Sequence, residues 1–457
     1  MNTMYGRLGL TLSLGLALGA CSGSERPAPK PSDGSAAQSP PGDGAALPAR
    51  NSGGPRRVLL VIADDLGVDA IAAYADINGV DSGERPYPAT PTIDSICKGV
   101  RFTRAWATPT CTPTRGSIIT GQYGFRTGLD GVGRGKEIRA GQMTLPKLVG
   151  NLANTANIGK WHLGHDDSIG GLRTPNEMGW DHYAGAIDNL DGYFEYTKVV
   201  DGKEVAVDNY ATTETVDDAL RFIGTQGAED SWLVWLAFNA PHGPFHLPPE
   251  SLHAHAGATD PAEHYDAMVE ALDTELGRLL AALPDGVDVV FLGDNGSPAR
   301  TIRRPLDKKH SKGTLYEGGL HVPLCVSGPT VKGSRSEDAL VSSVDLYATV
   351  AELLGADPLP ASTAGDSSSL VPYLRGESQA GHAVIFSQQN RSHERKAKAK
   401  NVGGKAIRDE RYKLIVFEDG NHALFDLERD PGETRNLYDD ASGKAARAKL
   451  EAALAEL

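Results

Sequence analysis

Cysteine is scarce in this chain, with four residues in 457, at positions 21, 97, 111 and 325. None stands in a Cys/His spacing suited to zinc. Positive charge is in deficit: 45 Lys and Arg face 59 Asp and Glu, a formal charge of −14. That balance argues against general nucleic-acid binding, so any attraction for an anionic substrate must be local. Long apolar runs are missing after the N-terminal segment, and nothing beyond it reads as a transmembrane span. No internal repeat is visible. The length corresponds to roughly two or three domain-sized units.

The N-terminal apolar run, Leu8 to Ala20, follows Arg7. It is too short to span a membrane as a mature helix, so residues 1–20 read as a signal peptide. The run ends in Leu18-Gly-Ala-Cys21, which resembles a bacterial lipobox, where cleavage precedes a cysteine that becomes lipid-modified. A plain secretory signal cleaved after Ala20 is the alternative. No twin-Arg pair precedes the run, which favours the general secretory route. The expected product is an exported lipoprotein anchored through Cys21 at the cell envelope (outer membrane or periplasmic face) or cell surface. Residues 21–55 are rich in Pro, Ser, Gly and Ala; they cannot bury a core and read as a flexible, lipid-anchored linker.

At Val58 the character changes. Val58-Leu-Leu-Val-Ile-Ala63, Trp232-Leu-Val-Trp-Leu-Ala-Phe238 and Val287-Asp-Val-Val-Phe-Leu292 have the continuous apolar pattern of strands buried on both faces. Between the last two lies a helix, with Asp260 as its cap, Pro261 in its first turn, and Tyr265, Met268, Val269, Leu272, Leu276, Leu279, Leu280 and Leu283 at helical spacing. Strands alternating with helices imply an α/β domain with a large, mostly parallel sheet, placed at 56–378. Leu340 to Leu354 reads as a later helix of that domain. Ala383–Phe386 and Tyr412–Phe417 read as strands and Lys444–Leu457 as a closing helix, giving a smaller C-terminal α+β subdomain over 379–457. Cys325 falls in an apolar run, and both it and Cys97 are expected to be buried. An oxidising compartment permits the two to pair, but the sequence alone does not bring them together.

Polar groups gather where those apolar runs end: Asp64 and Asp65 after the first, Ala240-Pro-His242 after the second, Asp294 and Asn295 after the third. Ligand sites of open α/β sheets lie at the carboxyl ends of strands. Each pair alone would be an ordinary turn or cap; three together point to a site. Four oxygen-bearing side chains suit a hard divalent cation, Ca²⁺ foremost. A further motif is Cys111-Thr-Pro-Thr-Arg115, followed by Gly116-Ser-Ile-Ile-Thr-Gly121. Read alone, Cys111 would be a structural thiol on a turn.

Taken in order, Ile62-Ala-Asp-Asp-Leu-Gly67, Cys111-Thr-Pro-Thr-Arg115, Gly159-Lys-Trp-His-Leu-Gly164, Ala240-Pro-His242, Gly293-Asp-Asn-Gly296 and Lys312-Gly-Thr-Leu-Tyr-Glu-Gly-Gly319 resemble the motifs of the type I, formylglycine-dependent sulfatases. Gly365-Asp-Ser-Ser-Ser-Leu-Val-Pro and Leu424-Phe-Asp-Leu-Glu-Arg-Asp-Pro-Gly-Glu433 are similar to late segments of that family, so the resemblance runs from about Arg57 to Tyr438. It implies an alkaline-phosphatase-like sandwich and a Cys111 oxidised to Cα-formylglycine by a formylglycine-generating maturation enzyme. By the same resemblance, Asp64, Asp65, Asp294 and Asn295 would hold the metal, with converted Cys111 also touching it. One hydroxyl of the aldehyde hydrate would attack sulfate, and such a hydroxyl needs a cation and a base nearby. Arg115 would hold the hydrate, Lys160 and Lys312 would bind sulfate oxygens, His242 would protonate the leaving alcohol, and His162 would take the last hydroxyl proton.

The implied activity is hydrolysis of sulfate esters on a sulfated glycan or an aryl sulfate. The alternatives are phosphonate or phosphate esters handled by the same superfamily, or a non-catalytic glycan-binding surface protein. His165 and His246 flank motif residues and are either substrate contacts or loop surface. The chain departs from the family at His321, where Arg is usual after Glu-Gly-Gly-x, and a permanent forked donor is thereby lost. The basic stretches 303–312 and 391–400 are either contacts for a sulfated polysaccharide or solvated surface; in the first case, removing Lys396, Lys398 and Lys400 would weaken polymer turnover while sparing a small aryl sulfate. The region 166–208 carries no readable specificity.

Overall fold

A computed structural model describes residues 53–78, 85–133, 135–168, 170–377, 379, 381–390 and 402–457. The signal peptide, Cys21, almost all of the linker and the basic stretch 391–400 lie outside the described residues. Ten strands make the larger sheet: β1 (Arg57–Ala63), β2 (Val100–Trp106), β3 (Asn154–Gly159), β4 (His182–Gly185), β5 (Tyr196–Val200), β6 (Lys203–Val207), β7 (Trp232–Ala237), β8 (Val287–Gly293), β9 (Leu324–Ser327) and β10 (Arg335–Ser342). Their spatial order is β10-β2-β9-β8-β1-β7-β3-β4-β5-β6. The central run β8-β1-β7-β3-β4 is parallel throughout, as is the β2–β10 pair. β9 runs antiparallel between β8 and β2, and β5 and β6 add an antiparallel edge.

The parallel centre explains the apolar runs. Successive side chains of a strand point to opposite faces. Val58, Leu60 and Ile62 of β1 therefore pack into one core, while Leu59, Val61 and Ala63 pack into another. The first core is closed by helices α1 (Cys111–Thr120) and α4 (Leu346–Leu353), the second by α2 (Ala211–Gly224) and α3 (Pro261–Ala281). α3 starts as its sequence dictates: the Asp260 carboxylate accepts the Ala262 N–H at 2.7 Å, with Pro261 in the first turn.

The expected helix over 340–354 is shorter. Leu340–Ser342 belong to β10, paired with Arg104–Trp106 of β2. The chain turns only at Ser342, where Ser342 and Asp345 form a reciprocal capping box, the Asp345 carboxylate accepting the Ser342 N–H at 2.8 Å. Cys97, closing the short helix Pro91–Cys97, and Cys325 of β9 are joined by a disulfide, which settles the pairing that sequence left open.

A smaller antiparallel sheet follows: β11 (Ile385–Gln389), β12 (Gly404–Arg408), β13 (Tyr412–Phe417) and β14 (His422–Asp426), in that order. α5 (Lys444–Ala455) covers one face through Leu450 and Ala446 against Ile407, Leu414 and Leu424. The other face meets Trp106, Leu315 and Leu320. Both sheets belong to one compact unit. Among the described residues no helix is long and apolar enough to cross a membrane.

Candidate active site

Four parallel strands deliver polar side chains to one place. Just past their ends, β1, β3, β7 and β8 remain stitched together: Asp64 N–H donates to Ala240 C=O at 3.1 Å, Asp294 N–H to Ala63 C=O at 3.0 Å, and Lys160 N–H to Ala237 C=O at 2.8 Å. Gly159, immediately before Lys160, has φ +98°, and a Cβ there would lie 2.0 Å from the Ala237 carbonyl oxygen. Only glycine permits that approach, which sets where Lys160 enters. Asp65 has φ +68°, in a region Asp tolerates better than most residues. Its N–H donates to Asp294 Oδ1 at 3.0 Å, and its carbonyl accepts the Tyr265 hydroxyl at 2.9 Å, so the kink is held from both sides.

The ligand atoms of Asp64, Asp65, Cys111 and Asp294 lie within 4.8 Å of one another, and all four side chains are buried. Each carboxylate has a cation. Lys160 Nζ donates to Asp64 and Lys312 Nζ pairs with Asp65. Arg115 is fully buried and donates to Asp294 Oδ2 through Nε at 3.1 Å and Nη2 at 2.8 Å, with Nη1 on the Lys160 carbonyl at 2.9 Å. Lys160 also donates to Asn189 Oδ1 at 2.7 Å. Asn295 donates through Nδ2 to Asp65 Oδ1 at 2.9 Å, while its Oδ1 is buried without a hydrogen-bond partner. A buried acceptor left unmatched costs about 1–3 kcal/mol. Beside three carboxylates, that oxygen completes the donor set a hard divalent cation requires, so the residues present fit such an ion.

Cys111 occupies the first turn of α1, at the positive end of the helix dipole. Its thiol donates to Asp64 Oδ1 at 3.3 Å. Burial, together with the charges of Asp294 and Asp64, pushes the thiol well above its ordinary pKa. A thiolate is therefore disfavoured, and with it direct thiolate nucleophilicity. Asp64 stays ionised: burial opposes its charge, but Lys160, His242, Arg115 and Lys312 hold it well below the usual carboxylate range. Asp294 is pushed up to about 6 by burial and by Asp64. Lys312 is held above the ordinary lysine range, since the carboxylates of Asp65 and Asp64 outweigh its desolvation.

Two histidines border the cluster. His162 is buried at φ +57°, and burial plus the nearby Lys160 and Arg115 keep it neutral, well below the ordinary histidine pKa. Its Nε2 stands 3.3 Å from Asp188 Oδ1, and its Nδ1 is buried with no hydrogen-bond partner. His242, half-buried, has Nε2 3.9 Å from Asp65 Oδ2 and Nδ1 2.7 Å from the Gly243 carbonyl. All ten residues singled out from the sequence thus stand in one constellation.

The flanking histidines divide. His165 sits on Asp188 at 2.9 Å, and His246 packs among Tyr193, Phe194 and Tyr210. His321 is remote from the cluster: its Nε2 faces the Thr103 carbonyl at 2.9 Å, and Glu317, 3.6 Å from its Nδ1, finds cations in Lys413 at 3.1 Å and Arg408 at 3.5 Å. The basic stretch 303–312 also divides. Arg303 is buried on Asp266 at 2.8 Å and Lys312 enters the site, leaving Arg304, Lys308 and Lys309 exposed. Sequence reading missed Asp188, Asn189 and Tyr193, which reach the site from a stretch without a motif.

The Sulfatase family model matches residues 56–356, and the model of the N-sulphoglucosamine sulphohydrolase C-terminal region matches 307–457. The chain is 27% identical to a sulfatase of Formosa agariphila, over 83% of this chain and 84% of that protein. It is 27% identical to arylsulfatase A of Bos taurus (86% and 85% covered) and 26% identical to N-acetylgalactosamine-6-sulfatase of Canis lupus familiaris (75% and 70%). Among solved structures, Ps i-CgsB in complex with k-i-k-neocarrahexaose superposes with a TM-score of 0.73 at 26% identity, covering 88% of this chain and 92% of that one. BT4656 in complex with D-glucosamine-2-N,6-O-disulfate shares the fold at a TM-score of 0.71 and 19% identity, with 88% and 97% covered.

Proposed function

The chain belongs to the sulfatase family and is a sulfuric ester hydrolase, and from that premise we propose a formylglycine- and metal-dependent mechanism centred on Cys111. The observation that carries it is the buried cluster of Asp64, Asp65, Cys111 and Asp294, with one cation on each carboxylate. A divalent cation held by Asp64, Asp65, Asp294 and Asn295, Ca²⁺ by the chemistry of its oxygen donors, would supply Lewis acidity and concentrated positive charge. A formylglycine at 111 would supply a hydrated aldehyde, with one hydroxyl as nucleophile and the other as the route for expelling sulfate.

The chain's own side chains divide the remaining work. Lys160 and Lys312 are buried or half-buried ammonium groups positioned to share their protons between carboxylates and sulfate oxygens, countering charge that builds in the transition state. Arg115, fixed by three hydrogen bonds, orients Asp294 and the group at 111. His242 is placed to protonate the leaving alcohol. His162 is neutral with Nδ1 free, the state a base needs to accept the second hydroxyl proton. The relatives named arylsulfatase A and N-acetylgalactosamine-6-sulfatase, and the structural neighbour solved with k-i-k-neocarrahexaose, support an aryl sulfate or a sulfated glycan as substrate. Export as a lipoprotein anchored through Cys21 and maturation by a formylglycine-generating enzyme complete the proposal.

The test is peptide mass spectrometry across Cys111 after co-expression with a formylglycine-generating enzyme, paired with aryl-sulfate turnover with and without Ca²⁺. Conversion lowers the residue mass by about 18 Da. Activity that follows both conversion and Ca²⁺ is the expected result. An unmodified Cys111 in active protein would sink the mechanism, and conversion without sulfate-ester turnover would move the reading to phosphonate or phosphodiester substrates.

A further inference from the structure

Phe194 is the most exposed of the large apolar side chains in the described residues, at 45%. It is also rigidly backed. Its neighbour Tyr193 is buried and donates its hydroxyl to the carbonyls of Asn239 and His242, both at 2.7 Å, tying this loop to the one that carries His242. The His246 ring lies 4.4 Å from that of Tyr193, and the Phe194 ring lies 5.3 Å from Tyr210 and 5.4 Å from His246. His246 is itself fixed, with Nδ1 2.8 Å from the Pro244 carbonyl and Nε2 3.2 Å from the Tyr210 hydroxyl. One side of Phe194 therefore rests on a locked group of rings while the rest meets water.

We propose that Phe194 is the platform on which the ring of the leaving alcohol stacks, and that this ring carries one sulfate and no further anionic group. The inference rests on the sulfatase reading above. The group that protonates the leaving oxygen, His242, is in the loop that Tyr193 anchors, so whatever that oxygen is attached to emerges beside the aromatic cluster. Aromatic faces bind the apolar face of a sugar or an aryl ring, and a pre-ordered ring loses little entropy on binding. Asp191 and Glu195 stand on either side of Phe194 in the chain, are exposed, and make no ion pair among the described residues. Standing three residues before and one residue after Phe194 in the chain, these carboxylates repel a second sulfate on a ring stacked there.

The experiment uses the full chain with Cys111→Ser, so that esters bind without being consumed, and measures Kd calorimetrically in Ca²⁺ for four probes. These are inorganic sulfate, 4-nitrophenyl sulfate, a monosulfated neutral monosaccharide and a disulfated one. Phe194→Ala should weaken the ring-bearing monosulfates about five- to tenfold and leave inorganic sulfate unchanged, with Phe194→Tyr restoring affinity. Loss on only one of the two ring ligands would tell aryl from sugar. Asp191→Asn with Glu195→Gln should raise affinity for the disulfated sugar alone. Equal losses on all ligands, no loss on any, or tighter wild-type binding of the disulfated than the monosulfated sugar would overturn the proposal. The sulfatase reading fails separately, through absent turnover by mature wild-type protein.

Discussion

Replacing Asp188 by Asn tests which nitrogen of His162 handles the proton. Asp188 Oδ1 faces His162 Nε2 at 3.3 Å, and its other oxygen holds His165 Nδ1 at 2.9 Å. A carboxylate in that place keeps the hydrogen on Nε2 and leaves Nδ1, buried and unpartnered, as the acceptor. A hydrogen bond to a charged group contributes about 1.5–3 kcal/mol. Asp188 is exposed, and solvent screening brings that down to about 1–2 kcal/mol. If the whole of it supports the base, kcat falls by roughly 5- to 30-fold. Asn keeps the shape and one carbonyl oxygen, so packing is retained and only the fixed charge is lost. Asp188 does not touch the carboxylate cluster, so KM should stay within about twofold. The assay is steady-state turnover of 4-nitrophenyl sulfate by protein matched for conversion at residue 111, with the thermal midpoint as control and Asp188→Glu as the conservative rescue. An unchanged kcat, or a KM that rises in step with the loss, would refute the assignment of Nδ1.

Chelation should lower the thermal midpoint even in unconverted protein, because the donor set exists before modification. At a free ion concentration a hundredfold above Kd the linkage is about 2.7 kcal/mol, or about 3 °C for roughly 400 folded residues; no shift on adding EDTA would count against the metal site. The Cys97–Cys325 disulfide closes a loop of 228 residues. Chain entropy then predicts that the double Ser variant loses about 5 kcal/mol of unfolding free energy in urea, and a loss under about 1 kcal/mol would show that the unfolded chain is already compact. His382 bonds Asp345 at 2.9 and 3.1 Å, and that bond and charge raise its pKa despite burial. Its stabilisation is full below about pH 6.5 and fades as pH rises through the raised value. Urea midpoints at pH 5.5 and 8.5 should show wild type ahead of His382→Ala chiefly at the lower pH, and a gap that widens at the higher pH would reverse the sign.

How far the sequence carried depended on where each partner lies. β1, β7 and β8 are buried on both faces, and that burial writes a continuous apolar run. β3 is just as central, yet it was invisible because three of its six residues are polar: Asn154, Thr155 and Asn157. Thr155 is satisfied by the Asp181 carboxylate at 2.8 and 3.0 Å, a partner no periodicity reveals. The helix expected over 340–354 was shortened for the same kind of reason: apolar spacing could not show that pairing with β2 claims its first turn. At the site, the residues that stand in short motifs at strand ends were legible. Asp188, Asn189 and Tyr193 were not, since each reaches the cluster only through folded contacts with His162, Lys160 and His242, and Phe194 stands beside them only by packing on the rings of Tyr210 and His246.

Charge ties the site to the ester it is built for. The chain as a whole is acidic, yet inside the cluster Asp64, Asp65 and Asp294 are matched by Lys160, Lys312 and Arg115. Three carboxylates and three cations cancel. A divalent cation on the same carboxylates would leave about two positive charges in a water-poor space, which is enough for a monoanionic sulfate ester and for the sulfate dianion that forms from it. A phosphomonoester dianion would arrive already at that limit, leaving nothing to stabilise the further charge of its transition state. Monoanionic phosphonates and phosphodiesters carry the same charge as a sulfate ester and pass this test. The acidic surface does not defeat binding of an anion, because Coulomb attraction within a few ångströms in a low-dielectric site exceeds repulsion from screened charges beyond a Debye length. The six groups around Cys111 therefore set the acceptable charge of the reacting group, while the aromatic rim beside His242 reads what is attached to it.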